Sequence, residues 1–167
     1  MLEELARRGH GTIPEPGRRI VRAELENGGT ALPWADVRAF VDRIVALARA
    51  DYAAASGSTG CVFFDRGLFD AVSALAQVSG TSIPQELLRD YPYHRQVFLV
   101  PPWREIHVND TERRHGFAEA EAEYHRLARE YEACGYQTIV LPRLSVEARA
   151  DFVEQTLGIA PRQVLAH

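Results

Sequence analysis

The chain has 167 residues, 46% of them hydrophobic and 25% charged, with a formal net charge of -4. That length fits one domain spanning residues 1–167 that buries roughly 70% of the surface its unfolded chain exposes. The composition is too apolar for a disordered chain and too mildly acidic for a protein that binds nucleic acid through bulk charge. No run approaches the ~20 apolar residues of a membrane span, and the opening Met1-Leu2-Glu3-Glu4-Leu5-Ala6-Arg7-Arg8 is a charged helical pattern rather than a secretory leader. Cys61 and Cys134 lie far apart without metal-ligand spacing, so a reduced, cytoplasmic protein is expected. All 19 basic residues are arginine. Chemistry that needs a lysine, such as a phosphate-loop lysine or a Schiff base, is therefore excluded for this chain acting alone.

Along the chain, Leu2, Leu5 and Ala6 read as a helix closed by Gly9, and Gly11-Thr12-Ile13-Pro14 as a short extended piece. Pro14 and Pro16 argue against helix at that point, and a helix is expected over 18–26, stopped by Asn27-Gly28-Gly29. Pro33-Trp34 is expected to open an amphipathic helix with Trp34, Val37, Val41, Ile44, Val45 and Ala48 on one stripe. Cys61-Val62-Phe63-Phe64 is continuously apolar and stops at Asp65-Arg66-Gly67, the pattern of a strand covered on both faces. Helix over 68–78 follows, then a second such strand, Gln96-Val97-Phe98-Leu99-Val100, stopped by Pro101-Pro102. Thr111-Glu112-Arg113-Arg114 leads into a long helix bearing Phe117, Ala120, Tyr124, Leu127, Ala128 and Tyr131. Gly135 ends it, a strand follows over 136–141, and Ser145 is placed to cap a last helix. Alternating strands and helices predict an α/β fold with a mainly parallel sheet flanked by helices.

In open α/β sheets, ligands sit outside the carboxyl ends of the strands. The residues there are Glu15, then Asp65 and Arg66, then Trp103, Arg104 and Glu105, then Pro142 and Arg143. A carboxylate directly after a buried strand is where Mg²⁺ or its water shell is held in phosphoryl-transfer sites, which makes Asp65 a candidate metal-associated acid. Asp65 has a second reading, as a cap for the helix beginning near Gly67. Glu15, between two prolines, is either a rigidly presented general base or an exposed turn carboxylate. Arg113 and Arg114, at a helix start that normally favours acids, are either lid arginines that neutralise phosphate charge or members of local surface ion pairs. His94, His107, His115 and His125 show no metal-ligand spacing.

With these residues in view, the chain resembles the AAA-type predicted ATPase family of the P-loop NTPase superfamily, the group related to the kinase domain of bifunctional ribosylnicotinamide kinases. The resemblance rests on Ile13-Pro14-Glu15 with Arg18-Arg19-Ile20, Leu32-Pro33-Trp34, and Val62-Phe63-Phe64-Asp65-Arg66-Gly67. It continues through 97–103, Asn109-Asp110-Thr111-Glu112-Arg113-Arg114, and Pro142-Arg143 with Ser145-Val146-Glu147. It implies a three-layer P-loop NTPase-like fold and Mg²⁺ with ATP or GTP as cofactor. It also implies phosphoryl transfer to water or a small hydroxyl-bearing acceptor, with Asp65 and Arg66 at the metal, Glu15 facing the acceptor, Arg113 and Arg114 in a lid, and Pro142 and Arg143 near the base. The family's first strand and glycine-rich loop ending in Gly-Lys-Thr or Gly-Lys-Ser are not found in these residues, and the lack of lysine agrees with that. In the family's strand order, 2-3-1-4-5, the missing strand is central, so the 61–64 and 96–100 strands are each expected to carry an unpaired backbone row. An N-terminally shortened chain, a remnant in which those two strands pair directly, and a homodimer in which a second copy fills the gap remain open. ATP binding by these residues is expected to be weak, and a non-catalytic interaction module on the same scaffold is the alternative.

Overall fold

The computed structural model describes residues 1–103 and 116–160. Among these residues, four short strands and seven helices follow one another: α1 Leu2–Arg7, β1 Gly11–Ile13, α2 Pro16–Asn27, α3 Val37–Ala55, β2 Val62–Phe64, α4 Leu68–Ser79, α5 Glu86–Asp90, β3 Gln96–Leu99, α6 Phe117–Ala133, β4 Gln137–Val140 and α7 Val146–Leu157. Every strand pairing is parallel, as the continuously apolar segments predict.

The strands form two separate pairs. β1 lies beside β2 with Gly11 opposite Val62 and Ile13 opposite Phe64, and β3 lies beside β4 with Gln96 opposite Gln137 and Leu99 opposite Val140. Among the described residues β2 and β3 do not pair with each other, so the direct-pairing alternative is not the arrangement adopted. Gly11 is demanded by its neighbour, because a Cβ there would fall 2.9 Å from Val62 Cγ2. The ladder runs one step beyond β2, where the Asp65 N–H donates to the Ile13 carbonyl at 2.9 Å.

Three helix boundaries differ from the sequence expectation. Pro16 is the first residue of α2, a position where its missing N–H costs nothing, so it starts the helix instead of delaying it. Pro33-Trp34 lies in a turn before α3. Asp36 is the true cap, accepting the Ala39 N–H at 2.9 Å, and Val37 is exposed and not part of a buried stripe. The short α5 has no counterpart in the apolar periodicity. Ser145 does cap α7, accepting from the Ala148 N–H at 3.2 Å.

One buried cluster joins α3, α4, α5 and α6 through Ala48, Leu68, Phe69, Val72, Leu87, Leu127 and Tyr131, with Val97 and Leu99 of β3 packed against it. A charged network ties α1 to α7. Arg8 reaches Glu4 at 2.8 Å, and Asp151 and Glu154 at 2.6 Å each, while His10 meets the second Glu154 oxygen at 2.8 Å and sets its ring edge-on to Phe63. Glu24, buried at the end of α2, accepts the Ala31 N–H at 2.8 Å and pairs with Arg43, pinning the loop that leads to α3. No helix among the described residues is long and apolar enough to cross a membrane.

Hydrogen bonds from Arg7 and then Arg8 hold the Glu4 carboxyl at about 2, below its ordinary 4.5. A carboxyl depressed by folding contributes stability above its unfolded value and loses it as pH falls through its folded value. Glu4→Gln is therefore expected to destabilise the protein at neutral pH and to converge on the parent as pH falls from 4.5 towards 2. Urea denaturation across that interval measures the convergence.

Candidate functional site

The carboxyl ends of β1 and β2 place three of the sequence candidates side by side. Glu15 is the residue before α2, in an extended conformation (φ -49°, ψ 119°) that points the chain from strand into helix. Its carboxylate takes Arg18 at 3.4 Å on one oxygen and Arg66 Nε at 3.5 Å on the other. Asp65 and Arg66 follow β2 directly, on the strand paired with the one that leads to Glu15. The Asp65 carboxylate is exposed and makes no hydrogen bond or ion pair among the described residues.

Arg66 carries the site's geometry. It is the one non-glycine residue in the left-handed region among the described residues, at φ 63°. That conformation costs an L-residue roughly 1–2 kcal/mol. The turn it makes sends the chain into α4 and lets the guanidinium span two elements. Nε faces Glu15, while Nη1 and Nη2 reach both oxygens of Glu123 on α6 at 2.6 and 3.2 Å. The forked pairing suits a guanidinium, whose planar donors match a carboxylate. The side chain remains 34% exposed, so the fork is open to solvent as well as to its two acids.

Behind Arg66, the start of α4 is secured by groups the sequence reading passed over. Asp70, not Asp65, caps α4, accepting the Gly67 N–H at 2.8 Å, which removes the capping role considered for Asp65. The same Asp70 oxygen accepts the Tyr131 hydroxyl at 2.8 Å, and the Tyr131 ring stacks on Phe69 at 4.1 Å. The Leu68 N–H donates to the Tyr93 hydroxyl at 2.9 Å, and a Cβ at Gly67 would press on that tyrosine at 3.0 Å. Burial raises the Asp70 carboxyl despite the nearby Arg66 charge. Burial also lifts Tyr131 well above the ordinary tyrosine value, with Asp70 adding to the rise, and pushes Tyr93 up to about 12. Both phenols thus keep their protons, Tyr131 donating to Asp70 and Tyr93 accepting the Leu68 N–H. Spacing offered one clue: Asp70 stands where a helix beginning after Gly67 takes a capping acid. Glu123 had none, because its partner lies 57 residues away in sequence.

The other candidates fall elsewhere. Pro142 and Arg143 follow β4, on the second strand pair, where the Arg143 guanidinium lies 5.7 Å from the ring centre of buried Trp103 and that of Arg149 5.2 Å. Arg113 and Arg114, with Arg104 and Glu105, lie outside the described residues. A hollow of about 330 Å³ opens between Gly11 and residues 57–62, at the amino ends of β1 and β2. Glycines, Ser58, Thr59, Cys61 and Val62 line it, with no carboxylate, imidazole or guanidinium. Among the described residues, no three His, Cys, Asp or Glu side chains converge on a cation site.

A family model described as AAA domain matches residues 1–149. The chain belongs to the AAA domain family. Membership makes it a nucleotide-binding domain of the P-loop NTPase type, on an α/β scaffold with parallel strands. No curated protein and no solved structure matches the chain. In this AAA domain, the described polar groups beyond β1 and β2 are the Glu15 and Asp65 carboxylates and the doubly held Arg66 guanidinium, with the Asp70 cap behind them.

Replacing Asp70 by Ala leaves the Gly67 N–H without its cap and the Tyr131 hydroxyl without its acceptor. A loss of about 1–3 kcal/mol in unfolding free energy is expected. In a cycle with Tyr131→Phe, urea unfolding should give a coupling of about 1 kcal/mol.

Proposed function

We propose that this AAA domain binds nucleoside triphosphates for phosphoryl transfer from ATP or GTP to water or a small hydroxyl-bearing acceptor. One observation carries the reading: the Asp65 carboxylate, without a partner among the described residues, follows the same strand as the Arg66 guanidinium bridged to Glu15, at the carboxyl ends of two adjacent parallel strands. Transfer of a phosphoryl group needs positioning and charge neutralisation more than covalent chemistry, and this arrangement offers both.

Asp65 is the residue that would hold Mg²⁺, directly or through water. A single free carboxylate fits an ion that takes most of its oxygen ligands from phosphates and solvent. Bound Mg²⁺ would supply neutralisation of phosphate charge. Arg66 offers forked donors to phosphate oxygens. Glu15, already in contact with Arg66, faces the acceptor side and accepts a proton from its hydroxyl or from water. Arg113 and Arg114 serve as lid arginines, and Pro142 and Arg143 lie towards the base.

These 167 residues contain no lysine and no glycine-rich phosphate loop, so phosphate contact rests on arginine and nucleotide binding is weak. The separation of β2 from β3 supports the same reading, since each is hydrogen-bonded to a single neighbour among the described residues, as when a central strand is absent. The lack of lysine equally favours a second reading, a non-catalytic interaction module on this scaffold.

Titration of the ¹⁵N-labelled protein with Mg·ATP tests the proposal. Saturable millimolar binding is expected, with shifts centred on the amides of Glu15, Asp65, Arg66 and Gly67, and Asp65→Asn should remove its Mg²⁺-dependent part. Shifts confined to other surfaces would overturn the site. Micromolar affinity would overturn the weak binding. Retained nucleotide shifts that are indifferent to Asp65→Asn would favour the interaction module.

A further inference from the structure

We propose that Cys61 is a thiol-exchange site: His10, oriented by Glu154, takes the Cys61 proton so that the sulfur attacks a small uncharged disulfide. The site lies at the amino ends of β1 and β2, away from Glu15, Asp65 and Arg66, and does not rest on nucleotide binding.

Strand register brings the two side chains together. Gly11 is opposite Val62, so one step earlier His10 is opposite Cys61. Neighbouring strands lie about 4.8 Å apart, and side chains alternate between faces. Cys61 and Phe63 therefore share a face. His10 is on that face too, because its ring meets Phe63 edge-on at 5.4 Å. Both residues line a hollow of about 200 Å³ with Gly60, Ile159 and Ala160. Cys61 is exposed and also borders the larger hollow beside residues 57–60, so a molecule from solvent reaches its sulfur.

His10 has the partner that a proton acceptor needs. Its Nε2 meets Glu154 Oε1 at 2.8 Å, and both side chains are buried. Arg8 anchors the second Glu154 oxygen at 2.6 Å. When the carboxylate accepts the Nε2 proton, Nδ1 carries the imidazole lone pair. Nδ1 makes no hydrogen bond among the described residues. At strand spacing it lies within proton-transfer reach of the thiol, directly or through one water. Cys61, His10 and Glu154 do not converge on a cation site. Their order is that of an activated nucleophile, with a base beside it and an acid that orients the base.

The exchange balances without a further oxidant. The Cys61 thiol gives its proton to Nδ1, and Sγ attacks one sulfur of the incoming disulfide. A bond forms between Sγ and that sulfur as the original S–S bond breaks. The departing thiolate takes the proton back from His10 and leaves as a thiol. Cys61 is oxidised to a mixed disulfide, and one half of the incoming molecule is reduced. Gly60, Ile159 and Ala160 carry no charge, which suits an uncharged partner.

The test is reaction with the disulfide form of mercaptoethanol at neutral pH, each cysteine being followed separately by peptide mass mapping. A free thiol is only a few per cent ionised there, which leaves room for about a ten-fold gain in rate. Cys61 is expected to react about ten-fold faster in the folded protein than in the urea-unfolded chain. Half-buried Cys134, whose thiol burial pushes up, should instead react more slowly when folded. His10→Gln still donates to Glu154 but accepts no proton, and should return Cys61 to the rate of the unfolded chain. Glu154→Gln should lose about three-fold. A folded rate at or below the unfolded one would overturn the site without any variant being needed. An unchanged rate in His10→Gln, with the fold confirmed by thermal melting, would overturn the base. An unchanged rate in Glu154→Gln would overturn the orienting acid.

Discussion

The guanidinium of Arg66 joins the carboxyl ends of the paired strands β1 and β2 to α6. It touches Glu15 after β1, rises from the end of β2, and grips Glu123 on α6. The backbone that makes this reach available is itself unfavourable, a left-handed turn adopted by an arginine where glycine would be at ease. Strain of this kind persists where the surroundings over-determine it. Here the surroundings are the Gly67 cap on Asp70, the Leu68 amide bonded to Tyr93, and the two carboxylates that claim the side chain.

The rest of the molecule gives that constellation a firm base. Asp70 and Tyr131 link α4 to α6 just behind the strand ends, and the Phe69–Tyr131 stack lies in the same buried cluster that receives β3. On the far side, Arg8 gathers Glu4, Asp151 and Glu154 so that α1 and α7 close over β1, where His10 adds a contact to Phe63. Glu4 and Glu154 are buried and each has a basic partner, as buried charge requires, while Asp151 adds an exposed contact. These charge networks frame a site in which, among the described residues, Asp65 presents an uncommitted carboxylate from the strand ends.

Local patterns made much of this visible from sequence. Continuous apolar runs locate β2 and β3, Ser145 announces α7, and the strand-end rule selects Glu15, Asp65 and Arg66, which lie at neighbouring strand ends. Two errors came from reading a residue type without its position. Pro16 was treated as a barrier, although proline is welcome in a first turn, and Trp34 fell on the apolar spacing of α3 while lying ahead of its Asp36 cap. Glu123, Asp70 and Tyr131 were illegible as site residues for another reason. Their roles depend on contacts between α4 or its leading turn and α6, dozens of residues apart, and helical periodicity reports which face is apolar, not which acid meets which arginine.

The left-handed turn at Arg66 also bears on how this protein would respond to engineering. Glycine there would relieve the backbone and give up contacts that, being partly hydrated, contribute little to folding. A thermostability screen and an anion-affinity screen would then reward different residues at one codon. The most heat-tolerant descendants of this chain are the ones to inspect for a silent loss of their charge.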